Sequence, residues 1–235
     1  MNDICDILKD LKSDPCFSGF RLLKGEFSLV DNSHKGECQW VVLNGCMTYV
    51  QNPGSAKVDY QLVYPIYHKR FSILSEWYQR FYAIPLYNVS HVRLDGRMLG
   101  LPNSFRFPCT SGADLFTTDE YLRFKETVKT GMGLVNDNYA TLEKYYSHEI
   151  VPILNGRKIS LCPNNWMFFD LALARIVSPQ DYCKVKLILL EHTHEYFARM
   201  GSYYSYDHSM FYSKLEEVLP YLESDEFDAY VAKYR

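Results

Sequence analysis

No run of about eighteen apolar residues occurs in the chain, so none of it is expected to span a membrane. The first residues, MNDICDILKD, mix acids and lysine with apolar side chains and lack the basic start and apolar stretch of a signal peptide. A large excess of charge of one sign is missing as well. The 25 Lys and Arg against 28 Asp and Glu leave a net −3, which gives no general reason to bind nucleic acid, whose affinity rests on clustered bases. Paired cysteines are missing: Cys5, Cys16, Cys38, Cys46, Cys109, Cys162 and Cys183 are scattered, odd in number and form no CxxC. Free thiols in a reducing cytoplasm are the expectation.

Signatures of chemistry are missing too. There is no GxSxG elbow, no GxxxxGK[ST] phosphate loop and no HExxH helix. Gly131-Met132-Gly133 lacks the third glycine and the preceding strand of a dinucleotide site. No cofactor is implied. Cys–His catalysis stays open, because its partners need not be close in sequence.

What the chain has is aromatic surface, with 20 Tyr and 14 Phe. Most of these rings belong in a core, leaving some for a contact surface. A composition of 47% apolar residues fits a folded globular chain of 235 residues, long enough to build its own core.

Ile4, Ile7, Leu8 and Leu11 share one helical face, and the helix ends before Asp14-Pro15. Strands are expected at Phe20–Leu29, interrupted at Gly25, at Glu37–Leu43 and Cys46–Val50 about an Asn44-Gly45 turn, and at Val58–Tyr67. Pro65 belongs at the end or edge of their sheet. A helix over Phe71–Tyr82 carries Leu74, Trp77, Tyr78 and Phe81 toward the sheet, and Asp95-Gly96 reads as a hairpin turn. From Thr117 the chain turns helical, with Thr117 and Glu120 at capping-box spacing. Further helices follow at Asn138–Ser147, Pro163–Ile176, from a Ser178 cap to Met200, at Ser209–Leu222, and from a Ser224 cap to Lys233. Short connections between successive strands favour an antiparallel sheet, and no linker divides the chain. The expected fold is therefore α+β: one domain over residues 1–235, with a sheet-containing part to residue 116 and a helical part after it.

The stretch EHTHEYFARMGSYYSYDH (191–208) offers two readings. On a helix, His192 and His194 point about 200° apart and cannot share a metal. Glu191 and His194 share a face, but no second Glu-x-x-His exists to complete a di-metal bundle site. No metal site is expected. The Gly-Ser-Tyr run that follows has the composition of an antibody-combining loop, in which tyrosines anchor and small polar residues adapt. Tyr203, Tyr204 and Tyr206 are the candidate partner anchors. Glu216, Glu217 and Glu223, in an acidic C-terminal stretch with Asp225, Glu226 and Asp228, would steer a basic partner. The alternative site is a small-ligand pocket at Arg93, Asp95 and Arg97. The basic residues about His68-Lys69-Arg70, Arg80, Arg93, Arg97 and Arg106 are a further set that suits an anionic ligand.

Gly19-Phe20 with Phe27, Gln39-Trp40-Val41-Val42-Leu43-Asn44, and Leu62-Val63-Tyr64-Pro65, followed by WMFFDLALARI (166–176), resemble small bacterial α+β domains of unknown function found among toxin-immunity proteins. That resemblance implies a bacterial protein that binds another protein, an immunity-type inhibitor of a toxin domain, and it carries no catalytic residues. A ligand-binding protein or enzyme, or a phage or structural assembly component, are the alternatives.

Overall fold

The computed structural model describes residues 4–32, 36–49, 60–81, 90–108, 115–159, 166–200 and 205–234. Backbone contacts divide the chain into two compact units. One holds residues 1–70 and 92–137, the other 71–91 and 138–235. The class is α+β, with an antiparallel sheet in the N-terminal half and helices in the C-terminal half.

The first unit opens with α1 (Ile4–Ser13), whose Ile4, Ile7, Leu8 and Leu11 are buried as their spacing requires. Among the described residues six strands follow: β1 (Arg21–Leu23), β2 (Ser28–Asp31), β3 (Glu37–Tyr49), β4 (Tyr60–Phe71), β5 (Val92–Asp95) and β6 (Phe105–Pro108). They form the order β1-β2-β3-β4-β5, with β6 also paired to β4. Helix α3 (Asp119–Asn138) completes the unit. One face of the sheet presents Leu29, Val41, Leu43, Val63, Tyr67, Phe105 and Phe107 to α1 and α3, where Tyr121, Phe124, Val128 and Val135 close the core. Asp10 ties the two helices together, accepting from Tyr121 Oη at 2.6 Å and Lys125 Nζ at 3.2 Å.

Local structure departs from the sequence expectations at several points. Phe20–Leu29 is two antiparallel strands joined by a turn whose last residue, Phe27, has φ 47°, a left-handed conformation costly for a bulky side chain. β3 runs straight through Asn44-Gly45, so no hairpin forms there. Pro65 lies inside β4, not at its end. It falls in the gap between the β6 ladder, which ends at Val63, and the β5 ladder, which begins at Ile66. Asp95-Gly96 opens a 3-10 turn over Arg97–Leu99 in place of a second strand. Gly96 is required there because a Cβ would meet the Pro102 carbonyl oxygen at 2.2 Å. The cap of α3 is Thr118, which accepts from Tyr121 N, while Glu120 accepts from the Arg106 amide.

The second unit contains α2 (Ser72–Ser75), α4 (Leu142–Leu154), α5 (Trp166–Val177), α6 (Tyr182–Met200), α7 (Ser205–Leu222) and α8 (Asp225–Ala232). In place of the expected helix over Phe71–Tyr82, β4 runs on to Phe71 and is followed by the short α2 and a 3-10 turn over Trp77–Arg80, while Tyr82 lies outside the described residues. Its apolar side chains pack on helices. Trp77 meets Tyr221 and Phe227, and Tyr78 meets Phe168 and Phe169. Thr141 caps α4 and Ser224 caps α8. None of the described helices is long and apolar enough to cross a membrane.

Candidate functional site

The pleat sends alternate residues of each strand to opposite faces of the sheet. With Leu29, Val41 and Tyr67 committed to the core, the opposite face carries their neighbours. Register fixes which of these stand side by side. Arg21 on β1 pairs with Val30 on β2, and Val30 with Trp40 on β3. On the neighbouring β4, the His68 ring stacks on Trp40 at 4.9 Å with 1° between the planes, and His68 pairs with Arg93 on β5. One row thus crosses five strands, with an arginine at each end and an aromatic pair at its centre. Four inter-strand steps of about 4.8 Å make it roughly 19 Å long.

Arg21 and Arg93 are exposed, while Trp40 and His68 are half-buried. Among the described residues neither Arg21 nor Arg93 has an ion pair. Burial, and then the charge of Arg93, lower the His68 pKa to about 4, so the imidazole is neutral at physiological pH. Arg70 and Arg106 lie on the same face by strand parity. On the core face, by contrast, the buried Lys69 holds Glu37 Oε2 at 3.0 Å.

Of the expected ligand site, Arg93 belongs to this row. Asp95 and Arg97 do not extend it. The Asp95 carboxylate accepts from Met98 N and from Arg97 Nη2, both at 3.1 Å. Burial opposes its ionisation, but those two donors hold it below the ordinary carboxylate range. Its charge is spent on its own turn.

Among the expected partner residues, Tyr203 and Tyr204 lie outside the described residues. Tyr206 is on α7, since that helix begins at Ser205 and not at Ser209, but its side chain is not among those described. The acids expected to steer are largely matched within their unit. Glu217 pairs with Lys214, Glu223 with Lys186, Glu226 with Arg80 and Asp228 with Arg175. Glu223 also accepts from Tyr182 Oη. Three of those bases come from distant parts of the sequence, and for that reason the stretch reads as more acidic than it is. Glu216 is exposed with no ion pair among the described residues.

His192 is half-buried and His194 exposed on α6, with the fully buried Thr193 between them donating to the Leu189 carbonyl. Among the described residues no group of three or more His, Cys, Asp or Glu is placed to hold a metal.

A second group of ionisable side chains stands in the helical unit. Glu149 on α4 accepts from Tyr139 Oη at 2.8 Å and pairs with Arg157 at 3.2 Å. Burial and the Glu149 charge push Asp170 on α5 up to about 8. Tyr145 donates to the His91 carbonyl, and burial raises its pKa well above the ordinary value. Asp170 is therefore largely protonated at neutral pH, and Tyr145 serves the helix core as a hydrogen-bond donor.

Arg21 and Trp40 were not picked out from the sequence as site residues: alternation within each strand is the signal for their face, and only strand register sets them beside His68 and Arg93. No family model, no curated protein and no solved structure matches the chain.

Proposed function

We propose that the protein acts by binding another protein, as an immunity-type inhibitor that blocks a bacterial toxin. The observation that carries this reading is the row Arg21–Val30–Trp40–His68–Arg93. Arginine and aromatic residues are what protein interfaces concentrate, with aromatic anchors at the centre and polar residues at the rim. Here they are spread over roughly 19 Å of sheet and not gathered about a reacting atom. Docking a partner would cover the Trp40–His68 pair, while the two arginines would set its orientation. The resemblance of Gly19-Phe20, Gln39–Asn44 and Leu62–Pro65 to small bacterial α+β domains of unknown function found among toxin-immunity proteins supports the same class.

The test is affinity purification of the tagged full chain from its host, followed by reconstitution of any complex from purified parts. Wild type is compared with W40A/R93E and with Y203A/Y204A/Y206A. A stoichiometric protein complex lost in W40A/R93E is the expected result. Loss only in the triple tyrosine variant would move the interface to the α6–α7 segment. Absence of any complex, with folded and abundant bait, would overturn the function.

A further inference from the structure

Resting on the protein-binding reading, we infer that the outer sheet face takes an acidic protein segment, one that presents carboxylates to Arg21 and Arg93. Strand parity collects Arg21, Arg70, Arg93 and Arg106 on this face, although the chain as a whole carries a net −3. Among the described strand residues the acid on this face is Asp95, the register partner of Ile66, which is engaged by Met98 N and Arg97. Arg21 and Arg93 therefore stand without a paired acid among the described residues, on a chain that is negative overall, a setting in which a complementary patch is captured selectively. The proposal depends on Arg21 and Arg93, which are exposed and hold no acid among the described residues. Guanidinium forks grip carboxylates through two parallel hydrogen bonds, and two forks separated by roughly 19 Å fix both position and direction of a bound segment.

The centre of the row separates an acidic protein from the other polyanion, a nucleic acid. Single strands bind by stacking bases on open aromatic faces. Here one face of Trp40 and one face of His68 are taken by each other, with ring planes 1° apart. The remaining sides of the two rings adjoin Val30 and Arg93 by register. What the pair offers outward is a neutral, amphipathic ridge that suits aliphatic side chains between the carboxylates. His68 stays neutral down to about pH 4, so it adds no charge that a phosphate backbone would use.

The experiment titrates the full-length protein with a fluorescein-labelled peptide of alternating glutamate and leucine, and with an oligothymidylate of equal charge, at low salt. R21E/R93E is compared with R21Q/R93Q and with a charge-matched control, K158E/K184E, at two lysines exposed in the helical unit. The expected result is peptide binding weakened at least tenfold by R21E/R93E, less by R21Q/R93Q, and within twofold of wild type for the control. Equal loss in the control, no peptide binding by wild type, or tighter binding of the oligothymidylate through the same arginines would each overturn the inference. The glutamine pair keeps the test decisive if charge reversal impairs folding. A partner complex that survives R21E/R93E would overturn the acidic-segment inference and leave protein binding intact. Peptide binding as expected, with no protein complex ever recovered, would do the reverse.

Discussion

The His68 imidazole lies parallel to the Trp40 indole at 4.9 Å, on the sheet face turned away from the core. Burial and Arg93 hold it neutral, with a pKa of about 4 against an ordinary value of 6.5. In the unfolded chain His68 therefore takes up a proton at higher pH than in the folded one. Stability contributed through this residue is full above about pH 6.5 and falls as pH drops toward 4. His68→Gln removes that slope. Urea denaturation of wild type and variant at pH 7 and pH 5 is expected to give a gap in stability change between the two pH values, smaller in the variant. An unchanged pH dependence would contradict the neutral stack.

Asp170 produces the opposite sign. Its folded pKa of about 8 lies above the ordinary 3.8, so the folded state holds a proton that the unfolded state has released. Stability contributed here is therefore lost as pH rises from about 4 to about 8. Asp170→Asn keeps the shape and cannot ionise. The excess stability of the variant over wild type is expected to be larger at pH 8.5 than at pH 5, read by thermal melts across that range. Equal melting shifts at both pH values would show that Asp170 is ionised in the fold.

Gly131 on α3 faces the Tyr67 ring, and a Cβ at that glycine would stand 2.2 Å from the ring. Tyr67 cannot move aside, being fully buried with its hydroxyl donating to the Thr127 carbonyl at 3.1 Å. Gly131→Ala gains about 1 kcal/mol of helix propensity but overpacks this contact. A net loss of about 1–2 kcal/mol is expected in urea denaturation. Gly133→Ala, with nothing near its Cβ position, is expected to be neutral or stabilising. Equal effects at the two glycines would contradict the packing account.

Much of the fold was readable in the sequence wherever one element's own period decided its burial. The Ile4–Leu11 stripe, α6 with buried Val185 and Leu189, and the Ser224 cap are cases of this kind. Readings failed where a distant segment decided. Asn44-Gly45 has turn chemistry, yet sheet pairing carries β3 straight through it. Gly131 could be read from sequence only as no part of a dinucleotide site, and the reason for a glycine there is Tyr67, which lies far from it in sequence. The acidic C-terminal stretch looked unpaired because Arg80, Arg175 and Lys186 reach it from elsewhere. The candidate face was half-visible: His68 and Arg93 were among the basic residues picked out, but only strand register sets Trp40 and Arg21 beside them.

The central claim, that the outer sheet face meets a protein, is tested most directly by crosslinking in living host cells. A photoreactive side chain is placed at Leu23, exposed on the same face, with the same side chain at Lys184 as a control. Ultraviolet light should yield one discrete protein adduct from position 23, abolished by Trp40→Ala, and none from position 184. No adduct from position 23, with the protein folded and abundant, would contradict the claim.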